Sequence, residues 1–595
     1  MHEVVSPLQG RVVGVLVETG TAVRQAATLV VIESMKMEHV VVAEVDGTVG
    51  AVMVTPGDGV RAGDPLLLLE PGTVTEDTAL EAAPATTERT DLAAVIERHA
   101  LGLDAARPDA VARRRKTGQR TARENIADLC DAESFVEFAP LAIAAQRRRR
   151  DVEDLIARTP ADGLVGGIGR VGGRPVVVAS YDYTVLAGTQ GFQNHRKKDR
   201  LFELAERQGL PVVLFAEGGG GRPGDTDAPG VSGLDTMAFH LFARLSGTVP
   251  LVGIASGRCF AGNAALLGCC DVVIATEGAN IGMGGPAMIE GGGLGQYAPE
   301  DIGPLDEQVA NGVVDLRVDD EAAAVGATRR YLGYLAGPTT PGPAPDPTAL
   351  RDLVPERRSL LYEIRDVIAG IADEDSVVEL RAGFGPGIVT ALAMVEGHPL
   401  GIVANDPRHL GGAIDADGAD KAARFLQHCD GYGLPILFLC DTPGFMVGPE
   451  AERTGLVRHV SRMFVTGANL SVPFATVVLR KGYGLGAQAM AGGSFRAPLF
   501  CVAWPTSEFG GMNLEGAVRL GYRKELGAIE DEDEREALFT EMVERAYEHG
   551  RGLNVATHVE IDDVIDPADT RRWITGVLLA VPPPPAGGRP NLDTW

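Results

Sequence analysis

Three kinds of short stretch in this sequence hold residues whose type and spacing can do chemistry. The first is 31-VIESMKMEHV-40, where one amine, Lys36, stands between two thioethers, Met35 and Met37, inside a valine-rich run. A lysine set apart in this way can be modified as an amide, although Met35 and Met37 alone would also suit a solvated turn with core gap-fillers. The second is 218-GGGGRPG-224, a glycine run after an apolar strand that could cradle a phosphate. Arg222 and Pro223 follow it where a phosphate loop needs Gly-Lys-Ser/Thr, so close backbone approach is the stronger reading. The third is a pair of small-residue turns, 259-CFAGN-263 and 482-GYGLG-486. Small residues let a ligand carbonyl approach backbone N–H groups, and two such donors at a helix start make an oxyanion hole. Tight helix packing is the bland alternative for either turn alone. No Ser/His/Asp constellation and no metal-ligand spacing accompanies them.

The elements that must position these residues come in repeats. In residues 1–70, Gly10, Gly20, Val23 and Leu29 recur as Gly47, Gly57, Val60 and Leu66, each 37 residues later. Short valine-rich strands broken by glycine turns, without helix signals, predict a small β-sandwich of quasi-twofold symmetry. Lys36 falls at the seam of the two halves, on a hairpin tip. Residues 71–90 have linker composition. Beyond them, GRPVVVASYD (173–182) pairs with GHPLGIVAND (397–406), and LPVVLFAEGGG (210–220) with LPILFLCDTPG (434–444), both at an offset of 224. The stretch 248–266 pairs with 471–490 at an offset of 223. Buried-strand runs alternate with helical stretches such as 197–209 and 421–433, which predicts tandem α/β units. The proline-rich segment 336–349 divides them, and 581–595 reads as a tail.

Composition bounds the partners. The 595 residues carry 54 Lys and Arg against 81 Asp and Glu, a formal net charge of −27. A chain this acidic repels nucleic acid and anionic membrane. Seven cysteines with no Cys-x-x-Cys pair support neither a disulfide framework nor a zinc site, and fit a reduced, cytoplasmic setting. No apolar run is long enough to span a bilayer. An anionic ligand would need local cations, for which His195, Arg196, Lys197 and Lys198 are the first candidates and Arg147 to Arg150 the second.

Glu33-Ser34-Met35-Lys36-Met37-Glu38 resembles the attachment motif of biotin carrier domains. Residues 91–570 resemble the carboxyltransferase (β) subunit of acyl-CoA carboxylases. The resemblance is carried by 117-TGQRTARENIADLCDAESFVEF-138, 401-GIVANDP-407, 421-KAARFLQHCD-430, 441-DTPGFMVG-448, 452-ERTGLVRHVSRM-463 and 503-AWPTSEFGGMNLEGA-517. It implies two tandem crotonase-like (ββα superhelix) domains, 91–345 and 346–580, behind a barrel-sandwich biotinyl domain, 1–70. It also implies biotin joined to Lys36 by a biotin protein ligase, and transfer of a carboxyl group from carboxybiotin to the α-carbon of an acyl-CoA. The cofactor then supplies the base, and no catalytic side chain is required. Ala261 and Gly262 would hold the thioester oxygen; Leu485 and Gly486 would hold the ureido oxygen. A separate ATP-dependent biotin carboxylase subunit must load the biotin, and the family assembles as a homodimer or homohexamer. Two departures stand out. Leu485 replaces a common glycine, and Gln488 replaces the frequent aspartate at a position linked to acyl-chain choice. The acceptor acyl-CoA therefore stays open. So do the alternatives of a biotin-dependent decarboxylase subunit and a non-catalytic carrier.

Overall fold

The computed structural model describes residues 1–74, 89–227, 231–582 and 591–595. The chain divides into two compact units, Met1–Glu97 and Arg98–Trp595. The unit boundary thus lies a few residues past the expected linker end, within the helix Thr90–Ala100. The greater part of the expected linker, 75–88, is outside the described residues, as are 583–590 of the expected tail.

The first unit holds eight strands in two four-stranded antiparallel sheets. One sheet runs His2–Val5, Pro65–Pro71, Gly47–Val52, Ala22–Val23; the other runs Met37–Val42, Thr28–Ser34, Gly10–Val15, Gly59–Val60. A shift of 37 residues carries one sheet onto the other. The repeat reaches the irregularities: the register slips between Val12 and Gly14 and again between Val49 and Ala51. It also explains Gly10 and Gly47. A Cβ on either would sit within 2.5 Å of the carbonyl of Glu33 or Glu70, themselves 37 apart. Val23, Leu29, Leu66 and Leu69 fill the space between the sheets with no exposure.

In the second unit, each half starts as an antiparallel hairpin and continues as a parallel sheet. The first sheet orders Leu316–Val318, Val272–Thr276, Leu251–Ala255, Val212–Phe215, Arg174–Tyr181, Leu164–Val171 and Val136–Glu137. The second orders Val378–Leu380, Ile388–Val395, His398–Asn405, Ile436–Thr442, Phe474–Tyr483, Cys501–Ala503 and Asp563–Val564, with Glu508–Gly510 beside Phe474–Tyr483. Val177, Val212 and Leu251 stand side by side in the first sheet, and Gly401, Ile436 and Phe474 in the second. Their offsets are 224, 224 and 223, those of the sequence repeat. The crossover helices Phe192–Gln208 and Ala416–Gly431 start 224 apart as well. Buried in parallel strands, these segments read as continuous apolar runs without alternation. One core draws on both halves, with Val178, Val213 and Ile254 from the first and Phe438, Val478 and Ala503 from the second.

The last residues are packed. Leu592 is buried against Gly431, Asp593 accepts from Gln427 and Arg462 at 2.9 and 2.8 Å, and Trp595 meets Phe384 edge-on at 5.6 Å. Among the described residues no helix is long and apolar enough to cross a membrane.

Candidate active site

Lys36 lies in the tight turn between Thr28–Ser34 and Met37–Val42, with Ser34 paired to Met37. Met35 and Lys36 have φ of +51° and +65°. Two consecutive left-handed residues give the primed turn whose twist matches the strands, a place normally given to Asn-Gly. Methionine and lysine hold it at a cost of about 1–2 kcal/mol each, so the turn is kept for what its side chains do. Met35 is 95% exposed and Met37 66% exposed. The Lys36 amine has no hydrogen bond or ion pair to any described residue. An exposed, unencumbered amine on a rigid tip fits amide attachment of a carried group.

The two small-residue turns take equivalent places in the halves of the second unit. Each leaves a strand and enters a short helix, Gly262–Gly268 or Gly484–Ala489. Ala261 has φ 52° and ψ −122°, a strained conformation for a residue with a Cβ. Gly220 permits it, because a Cβ there would come within 2.7 Å of the Ala261 methyl. The Ala261 N–H is taken: it donates to the Gly282 carbonyl at 3.0 Å, extending the bridge between Arg258–Phe260 and Asn280–Gly282. This corrects the expectation that Ala261 and Gly262 both present free donors. The Gly262 N–H opens its helix and has no acceptor among the described residues. In the other half the Leu485 and Gly486 amides lie in the first helical turn and likewise have none. Gly486 packs on the 444–445 backbone, where a Cβ would meet Gly444 at 2.7 Å.

The glycine run is a packing device. Gly218 N–H donates to the Arg258 carbonyl, Gly219 N–H to Ala187 and Gly220 N–H to Asn263 Oδ1, at 2.8, 3.1 and 3.1 Å. With these amides consumed, the run offers no phosphate cradle.

The basic cluster 195–198 is also not a surface for phosphate, and three of its four members must be reassigned. They lie in the first turns of the helix Phe192–Gln208, whose buried face is Asn194, Lys197, Lys198, Leu201, Phe202 and Ala205. Lys197 donates to the Leu164 carbonyl at 2.5 Å and faces Glu137 at 3.4 Å; burial pulls its pKa down to about 8. Lys198, with no exposure, donates to Tyr181 Oη at 2.9 Å and Gln190 Oε1 at 2.8 Å, and burial lowers its pKa to about 7. His195 sits near Phe239; burial, with Lys198 and Arg222 nearby, depresses its pKa to about 3. Only Arg196 is exposed. Arg147, Arg148 and Arg149 are exposed in succession, on a segment whose backbone is anchored to Asp227.

Sequence reasoning missed the buried polar supports of both turns. Behind the first, Glu217 accepts from Arg114 at 2.8 Å. Behind the second, Asp441 accepts from Arg480, Lys481 and Tyr362 at 3.1, 2.8 and 2.9 Å, and Glu508 joins Tyr483 to Arg358. A cavity of about 660 Å³ adjoins the second helix; Gly484, Ala487, Gln488, Phe495, Gly510 and His549 are in its wall. Gln488 is exposed there. Among the described residues no cluster of three His, Cys, Asp or Glu is placed to hold a metal.

Two turns with first-turn amides that have no acceptor among the described residues, on duplicated sheets, and a lysine-tipped sandwich on the same chain fit a cofactor-dependent acyl-group enzyme. Residues 113–579 match the carboxyl transferase domain family and residues 2–69 the biotin-requiring enzyme family; the chain belongs to the biotin-dependent carboxyltransferases of the acyl-CoA carboxylase family. Biotin is its covalent cofactor. It is 35% identical over 480 residues to the methylmalonyl-CoA carboxyltransferase 12S subunit of Propionibacterium freudenreichii subsp. shermanii, covering 79% of this chain and 90% of that one. It is 32% identical over 503 residues to the biotin-dependent long chain acyl-coenzyme A carboxylase beta4 subunit of Mycobacterium tuberculosis, covering 81% and 92%. Among solved structures, a single-chain, multi-domain long-chain acyl-CoA carboxylase is 57% identical with a TM-score of 0.79. That match covers 97% of this chain and 56% of the other, so the chain spans little more than half of that protein. The transcarboxylase 12S hexamer with methylmalonyl-CoA bound is 32% identical, with a TM-score of 0.74, over 85% of this chain and 98% of that one.

Proposed function

We propose that the chain carries biotin on Lys36 and transfers its carboxyl group to the α-carbon of an acyl-CoA. The carrying observation is the pair of turns at equivalent places, each with first-turn amides that have no acceptor among the described residues. The Gly262 N–H holds the thioester oxygen as enolate charge develops on it. Ala261 serves as the strained residue that aims this donor, its own N–H being used. Leu485 and Gly486 N–H groups hold the ureido oxygen. Biotin supplies the carboxyl group and the base when attached. Backbone donors fixed before the reaction stabilise charge without reorganising, each worth about 3 kcal/mol of barrier.

The CoA phosphates fall to Arg147, Arg148, Arg149 and Arg196, exposed members of the two basic runs of the first half. Gln488 contacts ligand from the cavity wall at the second turn. High identity to a long-chain acyl-CoA carboxylase supports carboxylation as the direction and a long-chain acyl-CoA as the acceptor. A biotin protein ligase attaches the cofactor. An ATP-dependent biotin carboxylase outside these residues loads it. The hexamer of the transcarboxylase relative supports a homo-oligomer. The test is Gly262→Pro. Carboxyl transfer across a series of acyl-CoA lengths should vanish while biotin is still found on Lys36 by mass spectrometry; unchanged transfer would overturn the assignment.

A further inference from the structure

We propose that Lys198 is a positioning residue for the Gly262 turn, acting through Gln190 and Asn263; this rests on the reading of that turn as the thioester site. The geometry is a chain of three buried side chains. Lys198 Nζ donates to Gln190 Oε1 at 2.8 Å, and Gln190 Nε2 donates to Asn263 Oδ1 at 3.2 Å. Asn263 Oδ1 also accepts from the Gly220 N–H at 3.1 Å, and Asn263 Nδ2 faces the Gly188 carbonyl at 3.4 Å. Lys198 and Asn263 have no exposure, and Gln190 is 3% exposed. Asn263 is the residue after Gly262, and Gly220 packs on Ala261. The last link therefore fixes the turn from both sides.

The direction of the chain follows from donor and acceptor chemistry. In its ammonium form Lys198 only donates, and so holds the Gln190 oxygen towards itself and the Gln190 NH₂ towards Asn263. Asn263, receiving that NH₂ and the Gly220 N–H on its oxygen, must aim its own NH₂ at Gly188. The Gly220 N–H and Gly188 carbonyl orient Asn263 from the backbone, whereas without Lys198 the Gln190 amide can flip and would then set its oxygen against Asn263 Oδ1. The Gln190 backbone is locked, since its N–H donates to Gly220 and its carbonyl accepts from Arg222 at 2.7 and 3.0 Å. A Cβ on Gly262 would stand 3.1 Å from Gln190 Nε2, so the relay lies directly behind the proposed donor. Leucine would fill the space of Lys198 as well for stability alone. A buried lysine bonded to an amide whose other end braces a functional turn supplies direction.

The test uses the full biotinylated chain with Lys198→Met, Gln190→Glu and the double variant. Gln190→Glu keeps the size and strengthens the contact with Lys198, but removes the donor to Asn263. Both single variants should lower kcat for carboxyl transfer by at least ~10-fold, with acyl-CoA KM within about twofold. The double variant should be no worse than the poorer single, because both break one chain. Wild-type kcat in Gln190→Glu, or losses that multiply in the double variant, would overturn the proposal. If Lys198→Met does not fold, Gln190→Glu decides alone. Failure here with Gly262→Pro still inactive would leave the thioester reading standing; an active Gly262→Pro would remove both.

Discussion

Glu217 and Asp441 stand 224 residues apart at matching points of the two halves, and each is met by an arginine from a different part of the chain. Arg114 reaches Glu217 from the helix Pro108–Lys116, whereas Arg480 reaches Asp441 from the neighbouring strand. The halves have kept a buried carboxylate behind each turn and replaced its counter-ion. Burial raises the Glu217 pKa and the Arg114 partnership opposes the rise. Removing one partner strands the other. Arg114→Ala should destabilise the second unit by about 3–5 kcal/mol, read by urea unfolding, and Arg114→Met with Glu217→Gln should recover much of the loss.

Lys421 is the counterpart of Lys197, but its Nζ has no partner among the described residues. It is 1% exposed, and burial lowers its pKa to about 7 from 10.5. A folded pKa below the unfolded one means the unfolded state binds more protons between the two. The penalty is therefore full below pH ~7 and is relieved as pH rises towards ~10.5. Lys421→Met should raise the melting temperature at pH 7 and should gain less at pH 10, measured as variant minus wild type at each pH.

The tip of the carrier exchanges stability for presentation. Met35→Gly relieves a φ of +51° and should stabilise the sandwich by about 1 kcal/mol. The same change removes a side chain that is 95% exposed beside Lys36, so biotin incorporation by the ligase should fall. Calorimetry and intact-mass measurement on the same sample check both halves of this expectation.

Gly486 is set by a close approach: its place against Gly444 leaves no room for a methyl. Gly486→Ala should shift the first helical turn and lower carboxyl transfer by about 10²-fold or more, with biotin on Lys36 unchanged. Steady-state transfer assays read the first, mass spectrometry the second.

The repeats were legible because duplicated sheets must repeat their apolar pattern, and residues 37 or 224 apart in the sequence take equivalent places in two sheets of the fold. Gly10 and Gly47 carried that signal at single-residue resolution. The cluster 195–198 was misread because a run of charges looks like surface when taken as a run. Read on a helix, Lys197 and Lys198 share spacing with Asn194, Leu201, Phe202 and Ala205, an i, i+3, i+4, i+7 face that points inward. That signal was present in the sequence. The loss of the Ala261 N–H was not, because it depends on the parallel bridge that brings Gly282 alongside. Nor was the Arg114–Glu217 pair, whose members lie 103 residues apart.

Lys198 and Lys421 have one more consequence, in chemoselectivity. An amine whose pKa is lowered to about 7 is in part unprotonated at neutral pH, and an unprotonated amine attacks thioesters and combines with carbon dioxide. An enzyme handling both reagents would risk acylating itself at such nitrogens. Here the burial that strips the proton also withdraws the lone pair, since these side chains are 0% and 1% exposed. The chain thus keeps these two amines out of reach of its own substrates, while Lys36 on the carrier tip stays exposed.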